Sequence, residues 1–113
     1  MNDRAILVLT TVPDAGSAER IADVLVEARL AACVNILPGV RSVFRWQGAV
    51  TRVDELQLFI KTAPERYRAV EEAIRMHHPY DVPEIFAVAI DQTTPRYLQW
   101  LLDETRDAPT LLA

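Results

Sequence analysis

With 113 residues, half of them hydrophobic and a quarter charged, the chain has room for one packed core and the composition of a globular domain. A formal net charge of -4 argues against general nucleic-acid binding, and a single cysteine excludes an intrachain disulfide while fitting a reducing compartment. Residues 1–113 therefore read as one domain.

Ala5 to Val12, AILVLTTV, is nearly all apolar or β-branched, the pattern of a strand buried on both faces. It is too short to span a membrane. With Asp3 beside Arg4 ahead of it and Pro13-Asp14 behind, it also makes a poor signal peptide, so a soluble cytoplasmic protein without membrane partners is expected. Pro13 ends the strand, and Asp14 or Ser17 caps the segment after it. Ile21, Ala22, Leu25 and Ala28 recur at helical spacing among Glu19, Arg20, Asp23 and Glu27, which predicts an amphipathic helix.

The next stretch, Ala31 to Thr62, has the grammar of a long hairpin. Cys33, Val34, Ile36 and Leu37 lead to a breaker at Pro38-Gly39. Beyond it Val40, Ser42, Phe44 and Trp46 alternate with Arg41, Val43 and Arg45. Gln47-Gly48 supplies a turn, and the return arm alternates Leu56, Leu58 and Ile60 with Gln57, Phe59 and Lys61. Such arms reach roughly 40 Å at about 3.3 Å per residue, whereas a domain of this length has a radius of gyration near ~13 Å. The hairpin must bend at Pro38-Gly39 or project, and a projecting apolar arm is normally covered by another chain.

Thr62-Ala63-Pro64-Glu65 has the form of a capping box, and Tyr67, Val70, Ile74 and His77 share one helical face. That helix ends near His77, because His78 precedes Pro79. Pro79 and Pro83 bracket the stiff loop HPYDVP, after which Ile85 to Ile90, IFAVAI, reads as a second central strand. Thr94-Pro95 opens a last helix with Tyr97, Leu98, Leu101 and Leu102 inward. The order β-α-β-β-α-β-α predicts an α+β fold: a ferredoxin-like βαββαβ sandwich with an extended hairpin between its second and third strands and a C-terminal helix, both crossovers lying on one face.

Few residues carry distinctive chemistry. Cys33 reads as a small buried strand residue, a metal ligand, or a nucleophile if a histidine lies near. His77-His78 straddles a helix end and can offer imidazoles to a divalent metal, although two histidines do not close a site. Tyr80, Asp81 and Glu84 sit in or beside the proline-bracketed loop, a good place for binding groups or simply a turn. Lys61 is a lone cation at a strand end, and Trp46 and Trp100 read as packing or interface residues. The three glycines are scattered, so there is no phosphate loop, and the third strand lacks the aromatics of an RNA-recognition sheet.

Taken together, RLAACVNILPGVRSVFRWQG, LFIKT, HHPYDVPEI and YLQWL resemble the CutA family of divalent-cation tolerance proteins, in order and spacing, over nearly the whole chain. The resemblance implies a tight homotrimer similar to the PII-type signalling proteins, with the long strands making intersubunit contacts. It implies copper(II) or another divalent metal ion as ligand, no organic cofactor, no nucleic-acid partner and no established catalysis. His77 and His78 match positions linked to copper. Thr10 stands where some members carry a cysteine, a far better copper ligand, and Asp81 replaces a more usual glutamate or glutamine. Cys33, Trp46, Lys61, Tyr80 and Glu84 match positions that resemble those lining the family's intersubunit cleft. The competing expectations are a PII-like sensory or scaffolding trimer that binds a small anionic metabolite through Lys61 or a protein partner, and an enzyme built on Cys33.

Overall fold

The computed structural model describes residues 4–106; residues 1–3, with Asp3, and 107–113 of the expected domain lie outside the described residues. Four strands, β1 (Ala5–Val12), β2 (Cys33–Trp46), β3 (Ala49–Thr62) and β4 (Phe86–Ile90), form one antiparallel sheet in the order β2-β3-β1-β4. Three helices accompany them: α1 (Ala15–Glu27), α2 (Tyr67–His77) and α3 (Pro95–Thr105). This is the ferredoxin-like α+β order that the chain predicts.

Strand alternation assigns the faces. Val8 and Val12 of β1 with Leu58 and Ile60 of β3 pack against Ala18, Ile21 and Leu25 of α1 and Val70 and Ile74 of α2, so both crossover helices share one face and one core. Thr10 is fully buried and, among the described residues, its hydroxyl has no hydrogen-bond partner. An unpaired buried hydroxyl is unfavourable. Thr10→Val is therefore expected to stabilise the protein by about 1 kcal/mol, measured as a higher urea midpoint at unchanged slope.

The hairpin both bends and projects. Leu37 pairs with Gln57 but Val40 with Glu55, so β2 carries one extra residue in a bulge at Pro38-Gly39, where Gly39 takes a φ of 82°. Beyond it the arms stay paired to Trp46 and Ala49, joined by Gln47 and Gly48 with φ of 50° and 83°, as a two-residue type I′ turn requires. The molecule is accordingly elongated, 50 × 32 × 22 Å.

Asp14, not Ser17, is the helix cap: its carboxylate accepts from the Ser17 amide at 2.7 Å and lies below the usual carboxylate range through that bond. α1 closes in a Schellman turn with Arg29 in the left-handed position usually given to glycine. The Arg29 guanidinium then holds α3 by donating to the carbonyls of Asp103 (2.8 Å) and Arg106 (3.0 Å).

Three expectations need correction. IFAVAI is an edge strand, not a central one, and Phe86 and Val88 are each 45% exposed. A uniformly apolar run looks the same whether its cover comes from its own chain or from another. Thr62 caps no helix, because it is still paired to Ile6 and its hydroxyl donates to the Leu30 carbonyl at 2.6 Å; a short 3-10 turn at Pro64–Arg66 leads into α2 instead. On α3 the buried residues are Leu101 and Thr105, whereas Tyr97 is exposed.

Candidate functional site

The bulge at Pro38-Gly39 decides what the second face of the sheet presents. Ahead of it Cys33 and Asn35 share a face with Lys61 and Phe59; after it the parity of β2 reverses, and Ser42, Phe44 and Trp46 come to that same face. Glu55 stands opposite Val40, and the residue as a whole is only 5% exposed. The Ser42 hydroxyl donates to one of its oxygens at 2.6 Å and the Tyr80 hydroxyl to the other at 2.8 Å. Burial, and then Glu55 itself, push the Tyr80 phenol up to about 12.

Tyr80 arrives there because the proline-bracketed loop is latched to β1 through His78, which is buried. The Tyr80 amide donates to His78 Nδ1 at 3.1 Å, so Nδ1 carries the lone pair and Nε2 carries the proton, which it donates to the Thr11 carbonyl at 2.7 Å. The His78 and Tyr80 rings also touch, with centroids 4.9 Å apart. Between this loop and the hairpin lies a hollow of about 470 Å³ that includes Thr11, Ser42, Phe44, Trp46, Glu55, Tyr80 and Glu84 in its lining.

Cys33 and Lys61 form a second group on the same face. They pair across β2 and β3, and the Lys61 ammonium lies 3.7 Å from the Cys33 sulfur and donates to the Asn35 side chain. Tyr97 of α3 comes close, its phenol pushed up by the partial burial of its ring, which is more than a third exposed, and then by Cys33. Lys61 and Glu55 are six positions apart on β3, which is roughly 20 Å along the strand. The five residues expected to share a cleft are thus split within one chain: Trp46, Tyr80 and Glu84 line the hollow, and Cys33 and Lys61 do not.

The histidines are also unequal. His77 ends α2 half-buried, whereas both nitrogens of His78 are already engaged. Among the described residues no three His, Cys, Asp or Glu side chains are grouped so as to hold a metal ion, so the donor set of a single chain does not complete a site. Nor does His78 serve Cys33. Leu7 is the β1 residue level with Lys61, and Thr11, where His78 docks, is four positions further, roughly 13 Å along the strand.

Sequence reasoning passed over Glu55, Ser42 and Asn35. The alternation of ELQLFIKT puts Glu55 on the face of Gln57, Phe59 and Lys61, which was a usable signal. Nothing in that alternation says that a bulge will swing Ser42 onto it. The Tyr80 bond has a measurable consequence. A phenol held above its ordinary 10.0 favours the folded state fully below pH 10 and loses that contribution as pH rises through about 12. Urea unfolding across this range should show stability falling with pH, and Tyr80→Phe should remove part of the slope.

Residues 6–104 match the family described as CutA1 divalent ion tolerance protein. A divalent-cation tolerance protein CutA from Thermus thermophilus is 48% identical over 99 residues, covering 88% of this chain and 96% of the relative. A chloroplastic CutA protein of Arabidopsis thaliana is 40% identical over 103 residues, 91% of this chain but 57% of the longer plant protein. The solved divalent cation tolerance protein of Thermus thermophilus superposes with a TM-score of 0.88 at 46% identity, covering 90% of this chain and 99% of that one.

Proposed function

Since the chain belongs to the CutA1 divalent ion tolerance family, we propose that it works as a cytoplasmic homotrimer that binds copper(II) or another divalent metal ion, with no reaction and no organic cofactor of its own. The observation that carries the trimer is apolar surface concentrated where a single chain leaves its sheet open. Phe44, Trp46, Phe86, Val88 and Trp100 are each more than a third exposed, on a hairpin, an edge strand and a terminal helix. Assembly also offers a way to bring Cys33 and Lys61 of one copy to Trp46, Tyr80 and Glu84 of the next, across the roughly 20 Å that separates them within a chain.

For the metal, His77 supplies the first imidazole. His78 joins it only if the Tyr80 amide releases Nδ1, and the remaining ligands come from a neighbouring copy. Copper(II) is the strongest divalent competitor for nitrogen ligands. Thr10, with its hydroxyl buried inside the core, is not expected to contribute. Calorimetric titration of copper(II) tests this reading. The wild type should bind stoichiometrically, and His77→Ala should weaken binding at least tenfold without changing the oligomer. His78→Ala should weaken it less and should also loosen the loop. Undiminished binding in the His77→Ala, His78→Ala double variant would sink the metal reading.

The alternative, a PII-like sensory or scaffolding trimer for a small anionic metabolite or protein partner, has Lys61 in its favour. Its ammonium contacts the neutral Asn35 side chain and the Cys33 sulfur, with no carboxylate bonded to it among the described residues. Indifference to copper together with saturable anion binding lost in Lys61→Ala would favour that alternative.

A further inference from the structure

We propose that the outer face of the projecting hairpin docks an acidic protein segment, one whose carboxylates alternate with aliphatic side chains. Six residues make that face, in three cross-strand pairs: Arg41 with Asp54, Val43 with Arg52, and Arg45 with Val50. All six are exposed. The bulge lies in β2, so the alternation of β3 is unbroken, and Val50, Arg52 and Asp54 share the side of the sheet on which Leu58 and Ile60 meet α1 and α2. The proposed trimer covers the opposite face, with Phe44 and Trp46, and leaves this one free.

On a chain of net charge -4, this face concentrates three positive charges against one negative. Its carboxylate, Asp54, is taken by Arg41 at 3.1 Å. Arg45 and Arg52 have no hydrogen-bond or ion-pair partner among the described residues. They are diagonal neighbours across the two strands, with Cα atoms roughly 7–8 Å apart, and like charges that close repel until a counter-charge arrives. A guanidinium meets a carboxylate through two parallel hydrogen bonds, so two acidic side chains supply what the fold omits. Val43 and Val50, 54% and 53% exposed, lie beside the arginines and give the segment's aliphatic side chains a surface to cover. Nucleic acid fits worse: the face has no aromatic ring to stack a base, and the acidic remainder of the molecule repels a long polyanion. A lipid bilayer fits worse too, because α1 and α2 stand on the same side of the sheet. They form a step about 10 Å high, which a narrow segment passes and a flat surface does not. This face shares no residue with the His77 ligand set, so either reading can fail alone.

The probe is a short fluorescent peptide of alternating glutamate and valine, followed by anisotropy as the full chain in its native assembly is titrated in. Its counterpart with glutamine for glutamate, a single-stranded oligonucleotide and vesicles containing phosphatidylserine are run in parallel. The acidic peptide should bind saturably, at least tenfold more tightly than the glutamine peptide, and more weakly as salt is added. Arg45→Gln with Arg52→Gln should weaken it at least tenfold while the light-scattering mass and the copper(II) titration stay those of the wild type. Val43→Ser should weaken it by a smaller factor. No saturable binding, a glutamine peptide that binds as tightly, an oligonucleotide or vesicle that binds more tightly, or full binding in the double arginine variant would each overturn the proposal. So would a change of mass in that variant, which would make this face a contact between copies.

Discussion

Phe86→Asp combined with Val88→Asp is expected to turn the proposed trimer into monomers, with the light-scattering mass falling from three chains to one. Both side chains lie on β4, opposite Leu9 and Leu7 of β1, on the face away from α1 and α2. Each is 45% exposed in the single chain. The core around Val8, Ile21, Leu58 and Ile74 is complete without them, so the secondary structure of the variant should survive. Burying such a side chain fully contributes about 1.5–3 kcal/mol, and two aspartates in an apolar contact add the cost of desolvating charge. With the loss repeated in every copy, the assembly should dissociate at micromolar concentration. Arg52→Asp, at an exposed hairpin position facing away from that surface, is the matched control. An unchanged mass in the double variant would show that β4 is not part of the interface.

The second large effect is expected at Glu55. Ser42→Ala with Tyr80→Phe leaves its carboxylate buried with neither of its hydroxyl donors. Hydrogen bonds to charged groups contribute about 1.5–3 kcal/mol each, so the pair should cost about 3–5 kcal/mol. Adding Glu55→Gln should restore a substantial part of that loss, because the neutral amide tolerates burial better. Equilibrium unfolding of the single, double and triple variants measures the coupling. A double variant within about 1 kcal/mol of the wild type would mean that water already serves this carboxylate.

How much of this was legible beforehand differs from element to element. The tip of the hairpin was, because Gln47-Gly48 between two alternating arms leaves few options for the backbone. So was the end of α2, since a residue ahead of Pro79 avoids helical geometry. The edge position of β4 was not: apolarity reports that a surface will be covered and is silent about which chain covers it. Thr62 misled for a related reason, since its hydroxyl had a long-range partner, Leu30, that no local spacing reveals. At the site, the histidine pair was visible but its inequality was not, because the engagement of His78 depends on the Thr11 carbonyl, 67 positions away. Glu55 became legible as a buried anion only once the bulge had set the parity of Ser42.

A divalent-cation site that starts from His77 should be visible in crystals soaked in copper(II), with anomalous data collected at the copper edge. A peak is expected about 2 Å from a ring nitrogen of His77, with a further ligand from a neighbouring copy. Saturating copper with no peak at either histidine, or with its strongest peak in the hollow beside Glu55, would contradict it.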